Sequence, residues 1–476
     1  MEVATAAGRV RGRWEAGVAV FRGVPFAAPP VGPHRFAAPQ PVTAWDGVRD
    51  ASRFGPAPPQ PARPTGGDDW LNLTVWTPDP GRAGLPVLLW ISGGGYLNCD
   101  AANPHFAGDA LAAAGAVVVS AHYRTGAEGL LRIAGSPDNR ALLDQLAALE
   151  WTHTNIAAFG GDPGNVTMFG QSAGAGSIAA LLAMPSAAGA FRRAILQSIP
   201  GTYFTPELAD DVAAEIGREL GRPPTAADPE ALVAATHTVT DRLVHSADRW
   251  GAVAYSSTPF SPVVDGSGDG LPVAPWSALA AGAARGVELL VGHSRDEYSL
   301  LAAELPDVDD ADPVIDLLTP TPGAARYRTA FPESTGNALR EVALADWLYR
   351  MPALHLAEAA AVGGARVWLY ELAWGFGPAG ASHGLDTLLV YGTTDVYGEV
   401  TAAGPTALAE AAALTKALRA DHLAFAAAGD PGWPRFEPRQ RHTRVYGPEP
   451  VLVRYPEERS RAIWRDRRFG VLDLAP

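Results

Sequence analysis

The chain has 476 residues, of which 47% are hydrophobic and 18% are charged, so it is long and apolar enough to bury a large core. Its 51 acidic and 37 basic residues give a formal net charge of −14, which disfavours nucleic acid and anionic membranes as partners. A single cysteine, Cys99, excludes an internal disulfide and a cysteine-based metal site, and it fits a reducing compartment.

The first twelve residues lack the apolar stretch of a secretion signal. No apolar run approaches the roughly 18 residues of a membrane-spanning helix. These features predict a cytoplasmic protein without a membrane partner.

Beyond an N-terminal region of short hairpin-like pieces, apolar runs of strand length alternate with helical patterns, as a mostly parallel sheet demands. The predicted strands are 87–92, 117–122, 166–169, 194–197, 289–292 and 367–372. The predicted helices flanking them are 139–159, 175–182 and 409–428. No composition shift marks a linker, so we expect one α/β domain over 1–476. Helical insertions at about 206–245 and 304–362 are expected to lie over the carboxyl ends of the strands, where ligands bind in such sheets.

The segment 166–177 (VTMFGQSAGAGS) is a short apolar strand that passes through Gly170-x-Ser172-x-Gly174 into a helix of small residues. A sharp strand-to-helix turn leaves no room for side chains on either side of the serine, and it exposes the serine hydroxyl. A second match to this pattern, centred on Ser382, has no strand running into it. We interpret the second match as a loop that delivers His383, and Ser172 as the candidate nucleophile.

A dinucleotide-binding interpretation of Gly174-x-Gly176-x-x-Ala179 is also possible, because this pattern follows a strand and opens a helix. Such a site expects an acidic residue about 20 positions later for the ribose. No acidic residue occurs between Asp162 and Glu207. We therefore predict no nucleotide cofactor, no other cofactor and no metal.

Ester hydrolysis needs a nucleophile, a general base, a carboxylate that orients the base, and donors for the oxyanion. Ser172, Glu297 and His383 follow the serine, acid, histidine order of α/β-hydrolases. Glu297 lies just beyond a predicted strand, and its neighbour Asp296 remains an open alternative on residue type alone. His383 follows the last predicted strand, whereas His293 precedes the acid and is disfavoured.

A glycine run, Gly93-Gly94-Gly95, follows the first predicted strand. Glycines there allow backbone N–H groups to approach a substrate carbonyl oxygen. The N–H groups of Gly94, Gly95 and Ala173 are therefore the candidate oxyanion donors.

Several longer motifs resemble the type-B carboxylesterases, a family that includes bacterial para-nitrobenzyl esterases and the cholinesterases. They are 21–32 (FRGVPFAAPPVG), 159–170 (FGGDPGNVTMFG) and 191–198 (FRRAILQS). The resemblance implies an α/β-hydrolase fold and a triad on Ser172, Glu297 and His383, which favours Glu297 over Asp296. It also implies ester hydrolysis through an acyl-enzyme without a cofactor, and a supporting role for Ser198.

The chain departs from the family pattern at two positions near the nucleophile. Gln171 stands where relatives usually carry a glutamate, so a negative charge is missing and cationic esters are disfavoured as substrates. Ser92 stands where bacterial relatives usually carry a histidine, but the oxyanion donors themselves are backbone groups.

These observations predict a serine carboxylesterase whose partner is a small, uncharged and largely apolar ester. Two alternatives remain open: a lactone, amide or thioester hydrolase, and a non-catalytic binding module on the same scaffold. Four aromatic residues are candidates for an apolar pocket, namely Tyr96, Phe204, Trp374 and Phe376.

Overall fold

The computed structural model describes residues 1–61, 66–393 and 398–475. Its strands, in chain order, are β1 (Glu2–Thr5), β2 (Gly8–Arg11), β3 (Arg13–Glu15), β4 (Val18–Pro25), β5 (Val48–Asp50), β6 (Asn72–Thr77), β7 (Leu85–Ile91), β8 (Val117–Ala121), β9 (Gly161–Gln171), β10 (Arg193–Gln197), β11 (Glu288–Ser294), β12 (Arg366–Leu372), β13 (His442–Tyr446) and β14 (Pro450–Arg454).

The α-helices are α1 (Asp109–Ala113), α2 (Gly126–Leu130), α3 (Arg140–Asn155), α4 (Ala173–Ala183), α5 (Pro206–Leu220), α6 (Pro229–Asp241), α7 (Ala247–Trp250), α8 (Pro275–Ala280), α9 (Ser299–Ala302), α10 (Asp312–Leu318), α11 (Gly323–Ala330), α12 (Gly336–Ala345), α13 (Met351–Val362), α14 (Leu385–Tyr391), α15 (Gly398–Ala402), α16 (Pro405–Ala428) and α17 (Glu458–Trp464). A π-helical turn, Asp346–Arg350, joins α12 to α13. None of the helices in the described ranges is long and apolar enough to cross a membrane.

Eleven of the described strands form one sheet, in the order β14-β13-β12-β11-β10-β9-β7-β8-β6-β4-β3. The seven strands from β13 to β8 run parallel to one another. The outer strands on both sides pair antiparallel. A separate three-stranded sheet joins β1, β2 and β5. Each of the six predicted strands is present in the parallel part of the large sheet.

The central strands are apolar at nearly every position because both faces of the sheet are covered. In β7, Leu88 and Trp90 belong to one hydrophobic cluster, whereas Leu89 and Ile91 belong to the cluster on the opposite face. Helices α3 and α4 supply the cluster that contains Leu89, and α14 and α16 supply the other. The predicted packing of 409–428 on the sheet is thus confirmed.

Strand β9 begins five residues earlier than predicted, at Gly161. Residues 162–165, near the start of the strand, are at least partly exposed and carry no large apolar side chain. The hydrophobic pattern therefore predicts only the second half of the strand. The buried half, which ends at Gln171, is the half that leads into the serine turn.

The predicted insertions are helical. The first contains α5 and α6, and the second contains α10 to α13 with the π-helical turn. The acidic stretch at the start of the second insertion folds as part of the structure, because Ile315 and Leu318 of α10 are buried in the core.

Candidate active site

The site lies at the carboxyl ends of five neighbouring parallel strands. Chain segments leaving β7, β9, β10, β11 and β12 meet there, because parallel strands end at a common edge of the sheet. They carry the predicted glycine run, Ser172, Ser198, Glu297 and His383, respectively.

Ser172 occupies the turn between β9 and α4 with φ 55° and ψ −126°. This backbone conformation costs a residue with a side chain about 1–3 kcal/mol. Two hydrogen bonds hold it: the Ser172 N–H donates to the Gln197 carbonyl oxygen, and the Gly176 N–H donates to the Ser172 carbonyl oxygen, each at 2.9 Å.

The glycines on either side of Ser172 are sterically required, as the motif predicts. A Cβ atom added at Gly170 would lie 2.7 Å from the carbonyl carbon of Gly174. A Cβ atom added at Gly174 would overlap the Ile91 carbonyl oxygen at the end of β7. The turn that carries Ser172 therefore packs closely against the end of β7, the strand that leads to the glycine run.

Glu297 and His383 meet directly. The Nδ1 atom of His383 lies 2.5 Å from Oε2 of the fully buried Glu297. The other carboxylate oxygen, Oε1, accepts hydrogen bonds from the Ser198 hydroxyl at 2.6 Å and from the Ser294 N–H at 2.7 Å. With its Nδ1–H donated to Glu297, the imidazole presents a lone pair at Nε2, as a general base requires.

Burial alone raises the pKa of Glu297, because it removes water from the charged carboxylate. The His383 ring and the hydrogen bonds from His383, Ser198 and Ser294 outweigh burial, so the pKa of Glu297 ends below its ordinary value. Glu297 is therefore held as an anion against Nδ1 of His383.

Asp296 faces the loop before His383 and not the imidazole. Its Oδ2 atom accepts from the Ala381 N–H at 2.8 Å, and its own N–H donates to the Ala381 carbonyl oxygen at 3.0 Å. Asp296 thus ties the loop containing Ser382 and His383 to the end of β11. His293 lies away from this loop, buried within β11, where its ring contacts the Tyr455 hydroxyl at 3.3 Å.

The glycine run borders the same cavity as the serine and the histidine. This cavity has a volume of about 770 Å³, and Gly94, Gly95, Ser172 and His383 all line it. Gly94 and Gly95 adopt φ 114° and 60°, values that favour glycine. Ala173 is the first residue of α4, where backbone N–H groups have no partner within the helix. The three candidate donors thus lie around the nucleophile.

Two side chains contact the catalytic candidates in ways that sequence patterns do not reveal. The Tyr349 ring packs on the His383 ring with centroids 4.2 Å apart, and Tyr349 lines the same cavity as Ser172. Burial and the nearby Glu297 carboxylate raise the pKa of Tyr349. The Gln171 side-chain Nε2 lies 2.9 Å from Nε2 of His383.

Tyr349 lies in the π-helical turn of the second insertion. The sequence pattern of that segment predicts helices, but it does not indicate a wider turn that redirects one aromatic side chain. π-Helical turns inside helices occur frequently at functional sites, and here the turn places Tyr349 next to the site.

A second cavity of about 460 Å³ adjoins the first, and His383 and Leu388 line both. Its lining is mostly apolar and includes Leu300, Phe376 and Leu385. Of the four aromatic candidates for an apolar pocket, Phe376 lies here. The other three, Tyr96, Phe204 and Trp374, are between 1% and 3% exposed and belong to the hydrophobic core.

Ser198→Ala is expected to lower kcat/KM about ten- to a hundredfold, because a hydrogen bond to a charged group contributes roughly 1.5–3 kcal/mol. The measurement is hydrolysis of a para-nitrophenyl ester together with thermal unfolding of the variant. Ser294→Ala is the matched comparison, since it retains the backbone N–H through which Ser294 holds Glu297. An equal loss in both variants would contradict a specific role for the Ser198 hydroxyl.

Comparison with known proteins identifies the family of this chain. The model of the "Carboxylesterase family" matches residues 1–317. The para-nitrobenzyl esterase of Bacillus subtilis (strain 168) is 35% identical, with 96% of this chain and 97% of that protein aligned. Phenmedipham hydrolase of Pseudarthrobacter oxydans is 39% identical over 65% of this chain and 64% of that protein.

Solved structures extend the likeness to the fold. A PNB esterase structure superposes with a TM-score of 0.86 at 32% identity, covering 97% of this chain and 99% of that one. A carboxylesterase of Geobacillus stearothermophilus superposes with a TM-score of 0.85 at 32% identity, with the same coverage. The predicted α/β-hydrolase fold is confirmed.

Proposed function

The chain belongs to the carboxylesterase family and is a carboxylic ester hydrolase, and from this premise we propose that Ser172, His383 and Glu297 are its catalytic triad. One observation carries the proposal: Nδ1 of His383 lies 2.5 Å from Oε2 of a buried Glu297, at the edge of the sheet where Ser172 occupies a strand-to-helix turn. Nucleophile, base and orienting acid are thus available together.

In the proposed cycle, Nε2 of His383 takes the Ser172 hydroxyl proton while Oγ attacks the ester carbonyl carbon. The N–H groups of Gly94, Gly95 and Ala173 donate to the resulting oxyanion. His383 then gives its proton to the departing alcohol, which leaves an acyl group on Ser172. A water molecule, activated by His383 in the same way, releases the acid and restores the serine. These steps need no cofactor, because side chains and backbone supply every group involved.

Glu297 has two tasks in this cycle. Its bond to Nδ1 keeps the lone pair on Nε2, and its charge stabilises the imidazolium that forms when His383 takes the proton. Ser198 and the Ser294 N–H hold the carboxylate so that its other oxygen remains aligned with the ring.

The substrates we propose are uncharged and largely apolar esters. The apolar cavity beside His383, lined by Leu300, Phe376 and Leu385, supports binding of an alkyl or aryl group. Asp100 and Glu304 line the larger cavity and disfavour esters that carry a carboxylate. Gln171 adds no charge next to the nucleophile, in contrast to the glutamate of the family pattern.

The proposal is tested by hydrolysis of para-nitrophenyl acetate, butyrate and octanoate, combined with labelling by a fluorophosphonate and peptide mass spectrometry. We expect saturable hydrolysis and a single phosphonyl adduct on Ser172. Para-nitrophenyl hemisuccinate, which carries a negative charge, is expected to be a poorer substrate. An adduct on another residue, or turnover that persists after complete labelling, would overturn the assignment of Ser172.

Two further properties belong to this proposal. Residues 1–476 act as one catalytic domain, with 206–245 and 304–362 as insertions, because Tyr349 of the second insertion packs on His383 and lines the cavity that contains Ser172. A cytoplasmic location is supported by Cys99, the only cysteine, which is a buried free thiol.

A further inference from the structure

The general base already has a partner on the atom that must take the proton. Nδ1 of His383 is committed to Glu297, so Nε2 carries the lone pair, and the Gln171 amide N–H donates to it across 2.9 Å. Tyr349, which packs on the His383 ring, lines the same cavity as Ser172. In the resting site, the base is thus bound to a neighbour other than the nucleophile.

We propose that Gln171 is a positioning residue that holds His383 in its neutral form and thereby sets the acid limit of the esterase. A hydrogen bond donated to the lone pair of a base favours the neutral base over its protonated form, because the protonated nitrogen has no lone pair left to accept it. The proposal rests on the triad assigned under Proposed function.

The packing around Gln171 directs its amide at His383. Gln171 is the last residue of β9, and its side chain is almost fully buried. A Cβ atom added at Gly93 would lie 2.7 Å from the Gln171 Oε1 atom, and one added at Gly384 would lie 3.5 Å from its Nε2 atom. The amide thus lies between the glycine run and the histidine loop, and both loops have glycine where they pass it.

Among the residues that the structure describes, few other ionisable groups lie around His383. Glu297 binds Nδ1, and Tyr349 covers the ring face. Asp386, in α14, is buried and accepts from the Tyr370 hydroxyl at 2.6 Å. Burial raises the pKa of Asp386 to about 6, and Glu297 raises it as well, whereas the Tyr370 hydrogen bond and His383 lower it. Other carboxylates nearby are Asp296, which binds Ala381, and Glu304, which lines the larger cavity.

On this arrangement the neutral amide favours activity at low pH. Proton transfer from Ser172 to Nε2 displaces the Gln171 donor, so the donor must withdraw as the Oγ–carbon bond forms. In exchange, the donor opposes protonation of Nε2 before the substrate arrives, whereas a carboxylate at position 171 would favour it.

Two substitutions separate this role from simple packing. Gln171→Met retains the length of the side chain and removes its donor. We expect the acid limb of the kcat/KM profile to move to higher pH by about half a unit, since the neutral imidazole loses one hydrogen bond. Gln171→Glu also removes the donor and adds a charge that stabilises the imidazolium, so the limb is expected to move by about one unit or more.

The experiment measures kcat/KM for para-nitrophenyl butyrate from pH 5 to 9, with the rate of fluorophosphonate labelling of Ser172 as a second readout that needs no turnover. Gln440→Glu, at an exposed position, is the matched control for the charge change and is expected to leave the limb in place. The inference is supported if the acid limb lies at the lowest pH in wild type, at a higher pH in Gln171→Met and at the highest pH in Gln171→Glu, in both readouts.

Three results would overturn the inference. They are an acid limb at the same pH in wild type and Gln171→Glu, an acid limb at lower pH in Gln171→Met than in wild type, and an acid limb that moves as far in Gln440→Glu as in Gln171→Glu. Thermal unfolding of each variant checks that it is folded. Failure of the proposed triad is a separate outcome, because it appears as absent labelling of Ser172 in the wild-type protein at every pH.

Discussion

Ser172→Ala is expected to lower kcat for para-nitrophenyl butyrate by about 10⁵- to 10⁶-fold, the largest effect of any single substitution in this chain. The hydroxyl is the only group that the cycle joins covalently to the substrate, and the turn at φ 55° brings no other side chain to its position. Residual hydrolysis comes from the oxyanion donors and from binding alone. The measurement is hydrolysis of para-nitrophenyl butyrate after treatment with a fluorophosphonate, which inactivates traces of wild-type protein.

Ser382→Ala is the matched control for this substitution, because Ser382 is the central residue of the chain's other G-x-S-x-G sequence. The described contacts of Ser382 are made by its backbone, which accepts from the Leu385 N–H and pairs with Asp296. We therefore expect Ser382→Ala to stay within about tenfold of wild type. A larger loss in Ser382→Ala than in Ser172→Ala would reverse the assignment of the two motifs.

Glu297→Gln is expected to lower kcat by about 10⁴-fold with little change in KM. The substituted amide can turn its N–H group toward Nδ1 of His383, which favours the tautomer that carries its proton on Nε2 and cannot act as a base. It also removes the charge that stabilises the imidazolium. Steady-state kinetics with para-nitrophenyl butyrate measure both parameters.

Asp296→Asn tests the alternative acid. An asparagine at this position still offers an oxygen to the Ala381 N–H, so the histidine loop retains its anchor. We expect a decrease in kcat of about tenfold or less. If Asp296→Asn lost more activity than Glu297→Gln, the carboxylate assignment would be wrong, whatever the distances in the resting site.

Much of the scaffold was predictable from the sequence because its signals are local. Apolar runs such as the one in β8 identify buried parallel strands, and the glycines around Ser172 identify the turn. The Gln171 contact with His383 was not predictable, because 212 positions separate the two residues in the chain and their distance depends on how two loops pack. The same is true of Tyr349, which a π-helical turn directs onto the imidazole.

The second insertion therefore does more than cover the substrate cavity. Ser172, Glu297 and His383 follow strands β9, β11 and β12 of one sheet, but Tyr349 contacts His383 and lines the Ser172 cavity from a helical excursion outside that sheet. Exchanging this excursion for the corresponding segment of a relative would alter the shape of the cavity and the contacts of the base in one step. We therefore expect substrate range and catalytic rate to be coupled in this chain. A change of substrate range made through the 304–362 segment is expected to leave the rate unchanged only if Tyr349 is retained.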